Sequence, residues 1–235
     1  MPEPLLADYP EAAGRYDEML GADGAPRTHW RALYDYLANA TPAAMHARLR
    51  SVARQVRENG VTYNVYADPL GADRPWDLDV LPLILGHDEW VGIEAAVAQR
   101  ATLLNRVLSD IYSGEEMLSE GLLPPELVHG HAGFLRPCHG ISPPDGVHLH
   151  VYAADLARSG DGRWWVLADR TQAPSGAGYA LENRLVISRA FPSLFRDLKV
   201  RHLARFFATL RDSLAYWAPR DVEAPRIVLL TPRPV

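Results

Sequence analysis

Apolar side chains recur at helical spacing early in the chain. Trp30, Leu33, Tyr34 and Leu37 fall on one face and predict a helix over about 28–39. Thr41-Pro42 has the form of an N-cap followed by proline at the first helical position. A second helix therefore runs from there to about Asn59, with Gly60 placed to end it. Val61-Thr-Tyr-Asn-Val-Tyr66 alternates among β-formers and predicts a strand. Residues 67–87, with prolines and glycines around Trp76, Asp77 and Asp79, read as loop. Asp88 then caps a long helix to about Tyr112, marked by Trp90, Ile93, Val97, Leu104, Val107, Leu108 and Ile111. Short helical pieces at 115–120 and 125–128 precede an irregular link over 129–146.

The period then changes to two. His148–Asp155 alternates polar and apolar, Ser159-Gly-Asp-Gly162 is turn chemistry, and Trp164–Asp169 is a second strand, which together predict a β-hairpin. A glycine-rich loop, Thr171–Gly178, leads into a helix over 179–190. A longer helix is expected over 192–217, with Leu194, Leu198, Leu203, Phe206, Phe207, Leu210 and Leu214 as core. Arg226-Ile-Val-Leu-Leu-Thr231 reads as a buried strand. A strand that opens a new unit seldom closes a protein, so the chain is expected to be the N-terminal portion of something longer. The fold class is α+β: a helix-rich first half, then an antiparallel hairpin-based sheet covered by helices. An arm is expected over 1–26, the main body over 27–225, and the opening strand of a next subdomain over 226–235.

Composition narrows the function classes. The chain has 235 residues, 48% hydrophobic and 23% charged, the balance of an ordinary soluble globular protein. No apolar run approaches the roughly 18 residues of a membrane span, and the N-terminus lacks the basic start of a signal peptide. A lone cysteine, Cys138, excludes an internal disulfide and fits a cytoplasmic location. The net charge of −5, without a basic block, argues against nucleic acid as a partner. Of 24 basic residues only Lys199 is lysine, so a phosphate site here must use arginine, backbone N–H groups or a metal.

Candidate chemistry concentrates in residues 147–189. Asp155 and Asp169, near strand ends, are oxygen ligands suited to a hard cation such as Mg²⁺. Ser175, Gly176 and Gly178 lie in a loop able to turn backbone N–H groups toward an anion, and the helix after it adds its positive end. Arg170, Arg184 and Arg189 can clamp phosphate or carboxylate. The plainer reading of the same residues is a turn, two solvated strand ends and surface arginines. His129, His131, Cys138 and His139 are ligand types for zinc, but their spacing is not that of a known finger, and surface histidines are the default reading. His148 and His150 share a predicted strand face with Tyr152, either lining a substrate site or forming a polar sheet surface.

Trp165-Val-Leu-Ala-Asp-Arg-Thr-Gln-Ala-Pro-Ser-Gly-Ala-Gly-Tyr-Ala-Leu-Glu-Asn-Arg184 resembles the signature segment of the circularly permuted ATP-grasp type 2 family, which is related by fold to glutathionylspermidine synthase. Thr62–Tyr66, Trp76–Pro82, Glu89-Trp90, Gln99-Arg100, Leu104-Asn105, Asp110–Tyr112 and Arg226–Pro232 are similar to other stretches of that family. The resemblance implies part of a permuted ATP-grasp module and ATP-dependent carboxylate–amine ligation through an acyl-phosphate. The cofactors would be ATP and Mg²⁺, the substrates a carboxylate and an amine, and a partner domain or protein would complete the site. On this reading Asp155 is the first candidate for metal contact and Asp169 the second; Ser175, Gly176, Gly178 and Tyr179 are the candidates for nucleotide contact, and Arg170 and Arg184 for phosphate or carboxylate contact. The family's metal ligands are an Asp on one strand, then Glu and Asn two apart on the next. Asp155 matches the first, but Ala168 and Arg170 stand at the other two. Three outcomes are open: Asp169 substitutes through a local bulge, Arg170 supplies a fixed positive charge, or the chain is a non-catalytic nucleotide- or partner-binding module.

Overall fold

The computed structural model describes residues 5–7, 9, 14–63, 74–218 and 223–229. Helices α1 (Arg31–Asn39) and α2 (Pro42–Glu58) form as the pattern predicts. Thr41 Oγ1 accepts from the Ala44 N–H at 3.2 Å, and Pro42 occupies the first turn, where no N–H is needed. Gly60, at φ +69°, closes α2: the Gly60 N–H donates to the Arg57 carbonyl and the Val61 N–H to that of Val56. Strand β1 (Thr62–Tyr63) pairs antiparallel with β2 (Arg74–Pro75). The remainder of the strand expected to Tyr66 lies outside the described residues. Helix α3 (His87–Ile111) begins one residue before the expected cap, so Asp88 and Glu89 lie in its first turn, against the positive end of the helix. Short helices α4 (Glu116–Ser119) and α5 (Pro125–His129) follow.

The hairpin consists of β3 (Ala153–Arg158) and β4 (Trp164–Arg170), and α6 (Ala177–Ala190) follows the glycine loop. The architecture is α+β. The core is built from Leu33, Leu37, Val52 and Val56 of α1 and α2, closed by Val186, Ala190 and Phe191. Val186 is 0% exposed. The N-terminal arm takes part: the Asp17 carboxylate accepts from the Met19 and Leu20 N–H groups at 2.8 and 2.7 Å and turns Met19 into this core.

Five expectations are corrected. The first hairpin strand starts at Ala153, not His148, because Asn105 of α3 takes the preceding backbone. Its Oδ1 accepts from the His148 and Leu149 N–H groups at 2.8 and 2.9 Å, and its Nδ2 donates to the Gly146 carbonyl. His148 and His150 therefore share no strand face. The His148 ring stacks with Tyr112, and His150 meets Trp217 edge-on at 4.9 Å.

The helix expected over 192–217 is two, α7 (Pro192–Asp197) and α8 (Ala204–Tyr216). Lys199 breaks it at φ +50°, with its N–H on the Arg196 carbonyl and the Val200 N–H on that of Phe195. That is the helix-ending arrangement in which glycine is usual. Lys199→Gly is expected to stabilise the fold by about 0.5–1 kcal/mol net, the relief of the left-handed strain exceeding glycine's extra unfolded-state freedom. A rise in the urea midpoint at constant slope is the readout.

Helix α8 buries none of its apolar stripe; Phe206 and Leu214 are exposed. Residues 225–229 carry no regular structure, and Ile227, Val228 and Leu229 are exposed rather than in a buried strand. The last two residues of that expected strand lie outside the described residues.

Candidate functional site

Strand register decides which side chains meet. Asp155 lies opposite Ala168 and Leu156 opposite Val166, leaving Leu167 without a partner: a β-bulge. Trp164 and Asp169 are five positions apart and would face opposite sides of a regular strand. The extra residue reverses the alternation, so both face α3. Trp164 Nε1 donates to Glu89 Oε1 at 3.0 Å, and Arg100 donates to both Asp169 oxygens at 2.6 and 2.7 Å. Glu89 and Arg100 are eleven residues apart, about three helical turns, and so share one face of α3. The hairpin is clamped along that face at two points.

The first clamp is centred on Arg158, whose side chain is 7% exposed. Its guanidinium lies between the Tyr16 and Trp164 rings, 4.5 and 4.2 Å from their centroids. It pairs with Glu18 at 2.7 Å and Glu89 at 2.6 Å, and donates to the Gly162 carbonyl at 2.9 Å. Arg158 holds the Glu89 carboxyl below its ordinary pKa. Gly162, at φ +85°, leaves no room for a Cβ, which would lie 2.7 Å from the Tyr16 ring. At the second clamp, Arg100 and then the Tyr152 hydroxyl, at 2.6 Å, hold Asp169 down at about 2. Burial, with Asp169 alongside, pushes Tyr152 up to about 12.

Asp155, Ala168 and Arg170 lie on the other face, turned away from α3. Arg170 donates to Asp155 Oδ2 through Nε and a terminal nitrogen at 3.0 and 2.7 Å. A bulge is present, but it lies before Ala168 and does not bring Asp169 to Asp155. The two expected metal ligands sit on opposite faces, and each is held by an arginine.

The glycine loop enters α6 through Gly176, at φ +104°, a conformation that disfavours side chains. The first helical bond runs from the Ala180 N–H to the Gly176 carbonyl. The N–H groups of Ala177, Gly178 and Tyr179 have no protein acceptor among the described residues. A Cβ added at Gly176 or Gly178 would touch nothing within 4 Å, and Ser175 is exposed, so the helix start is open. Three residues of the signature hold α6 in place. The Tyr179 hydroxyl donates to the Thr62 carbonyl at 2.7 Å, with its ring 4.6 Å from that of Trp76. Trp76 Nε1 donates to Asn183 Oδ1 at 2.8 Å, and Asn59 donates to Glu182. Tyr179 thus has its hydroxyl committed to the protein. Arg184 differs: it is half-buried and has no hydrogen bond or ion pair among the described residues. Burial alone lowers its pKa. Arg189 is exposed.

The histidine-rich link is organised by Glu115, whose Oε1 lies 3.4 Å from Nε2 of both His129 and His139. His131 Nδ1 accepts from the Gly133 N–H, and Cys138 is half-buried. Among the described residues no group of three or more His, Cys, Asp or Glu is arranged to hold a metal ion. No described helix is long and apolar enough to cross a membrane.

Arg158, Glu18 and Tyr152 were not read from the sequence as partners of the hairpin, and Glu89 and Arg100 entered only through the resemblance. The eleven-residue spacing of Glu89 and Arg100 was a usable signal; the contacts of Glu18 and Arg158, 140 positions apart, had none.

A family model described as circularly permuted ATP-grasp type 2 matches residues 82–235. An uncharacterized protein of Synechocystis sp. is 36% identical over 217 residues, covering 92% of this chain and 45% of that protein. An uncharacterized protein of Mycobacterium tuberculosis is 39% identical over 236 residues, covering 97% of this chain and 26% of that protein. One of Mycobacterium leprae is 35% identical over 217 residues, covering 92% of this chain and 38% of that protein. The chain thus spans less than half the length of these relatives.

Proposed function

This chain belongs to the circularly permuted ATP-grasp type 2 family, and on that premise we propose that it forms the anion-holding part of an ATP-dependent carboxylate–amine ligase. In such a reaction the terminal phosphoryl group of ATP passes to a carboxylate oxygen and ADP leaves. The amine nitrogen then attacks the acyl carbon, the carbon–oxygen bond to phosphate breaks, and the amine gives up a proton. Further polypeptide would complete the site and hold the two substrates.

The observation that carries this reading is Arg184. A half-buried guanidinium without an acceptor among the described residues is costly in a fold, and its natural complement is an anion. It stands on the helix whose first N–H groups are also without acceptors among the described residues, and helical side chains lean toward the N-terminus. Phosphate oxygens would satisfy both sets, with Ser175, Gly176 and Gly178 at the open end. Tyr179 would act by holding α6 in place, since its hydroxyl is engaged with Thr62.

Magnesium fits less well. The outward face offers one carboxylate, Asp155, with the Arg170 guanidinium already on it, which leaves a divalent cation without a second ligand there. Arg170 would supply a fixed positive charge in its place. Ala168 lies opposite Asp155 and Arg170 lies on the same face. The double substitution Ala168→Glu with Arg170→Asn is therefore expected to create magnesium binding, read by calorimetry as heat that the unaltered chain does not give. No heat in either protein would count against Asp155 as a metal position.

The reading is tested by thermal unfolding with ATP. At a ligand concentration about a hundred times Kd, stability rises by about 2.7 kcal/mol, or roughly 5–10 °C in Tm for a chain of this size. The shift is expected to persist in EDTA, since arginine and backbone groups do the holding. No shift at millimolar ATP, with or without magnesium, would remove the proposal. The second reading, a non-catalytic nucleotide-binding module, is favoured by the Asp155–Arg170 pair. A thermal shift without phosphate release in a full-length relative supplied with amino acids and polyamines would select it.

A further inference from the structure

Helix α2 is a basic element in an acidic chain. It carries the arginines Arg48, Arg50, Arg54 and Arg57 and one carboxylate, Glu58, while the whole chain has a net charge of −5. Two of the arginines are already engaged. Arg48 donates to the Tyr36 hydroxyl and the Ala190 carbonyl, and Arg54 pairs with Glu58. Arg50 and Arg57 are exposed and have no acidic partner among the described residues. They are seven positions apart, two helical turns, and so stand on one side of α2 about 10 Å from each other along its axis.

The strip of α2 beside them is apolar. Leu49, Val52, Ala53 and Val56 follow the i, i+3, i+4, i+7 spacing of one helical face. With Trp76 and Leu78 they line a groove of about 530 Å³, to which α2 also contributes Arg50 and Arg57 and the facing segment contributes Asp77. Val52 and Val56 belong to the hydrophobic core, so the groove reaches down to the core between α2 and residues 76–78. Leu49, at its side, is 40% exposed. Asp77 is exposed as well and has no basic partner among the described residues.

This combination selects among anionic occupants. A nucleic acid backbone would leave the apolar lining unused. A bilayer surface would need the apolar side of α2, but Met45, Val52 and Val56 are turned into the core. A peptide helix that carries both apolar and acidic side chains satisfies the lining and the two guanidinium groups together.

We propose that the groove between α2 and residues 76–78 docks an acidic amphipathic helix of a partner protein. Its apolar residues would lie against Leu49, Ala53 and Trp76, and two carboxylates two turns apart would meet Arg50 and Arg57. A basic residue on its other side would meet Asp77. The inference does not depend on the ligase reading, and its test involves no nucleotide.

The probe is a labelled helical peptide as long as α2, with leucine at i, i+3, i+4 and i+7 and glutamate flanking that stripe, followed by fluorescence anisotropy with this chain. Saturable binding that weakens with added salt is expected. Arg50→Glu with Arg57→Glu is expected to weaken it by about 10-fold or more, and a peptide with lysine in place of glutamate is expected to recover the loss. Ala53→Trp fills the groove from an exposed position and is expected to abolish binding, with an unchanged Tm showing that the fold persists. Arg54→Glu makes the same change of charge as Arg57→Glu on the same helix, outside the groove, and is expected to alter affinity by no more than about twofold. Absence of saturable binding would overturn the proposal. So would equal losses from Arg54→Glu and Arg57→Glu, or binding that survives Ala53→Trp, either of which would reduce the attraction to surface charge. Binding of phosphatidylserine vesicles in place of the peptide would overturn it too and assign the arginines to a membrane.

Discussion

Arg184→Leu is expected to weaken ATP binding by 10- to 100-fold or more while leaving the fold as stable as before, or more so. The two effects have one cause. The guanidinium is half-buried with no acceptor among the described residues, and burial lowers its pKa. A charge held this way costs stability in the free protein, and leucine removes that cost while filling similar space. A hydrogen bond to a charged group is worth about 1.5–3 kcal/mol, which sets the lower part of the affinity loss. Calorimetry with ATP and thermal unfolding without it are the paired measurements. If Arg184 were an ordinary structural residue, leucine would lower Tm and leave affinity unchanged. That pattern would remove the main support for the anion site. Arg184→Lys keeps the charge without the planar fork and is expected to fall between the two.

Arg158→Ala is expected to be the most destabilising single change in the hairpin, at about 3 kcal/mol. Breaking a buried ion pair from one side costs roughly 3–5 kcal/mol. The lower end applies because Glu18 and Glu89 retain partial solvent access, with side chains 30% and 26% exposed. The substitution also empties the space between the Tyr16 and Trp164 rings. For a chain of this size the loss corresponds to a fall in Tm of roughly 6–12 °C. Arg158→Lys is expected to recover part of this, since an ammonium cannot reach both carboxylates and the Gly162 carbonyl with fixed geometry.

The same network sets an acid dependence. Glu89 has a lowered pKa in the folded state, so its contribution to stability is present above the unfolded value near 4.5. It is lost as pH falls through the lower folded value. Arg158→Ala should therefore flatten the decline of the urea midpoint below about pH 5. An unchanged acid slope, or a loss under 1 kcal/mol, would show that the pairing contributes little.

Much of the fold was legible because its signals are local. Thr41, Pro42 and Gly60 fix the ends of α2 through groups within five residues of each other, and the spacing of Leu33 and Leu37 marks the buried face of α1. The turn residues 159–162 announced the hairpin for the same reason. The misses came from contacts distant in sequence. Nothing near His148 indicates that Asn105, more than forty positions earlier, takes the N–H groups a strand would have used. Lys199 reads as a good helix residue, and only the geometry following Asp197 reveals it in a left-handed turn. The apolar stripe of α8 has the right period for a core helix, yet period does not establish that a partner is present.

The candidate site divides along the same line. Composition alone determined that any phosphate site here would have to use arginine, backbone N–H groups or a metal, and the run 165–184 carried the family. The bulge at Leu167 decided the rest. Strand alternation has a period of two, so one extra residue exchanges the faces of everything beyond it. That exchange sends Asp169 to Arg100 and Tyr152, leaves Asp155 to Arg170, and separates two carboxylates that the sequence alone could have joined in one metal site. Side-chain identity is written in the chain; which face each carboxylate occupies follows from a register that only the paired strands and α3 together determine.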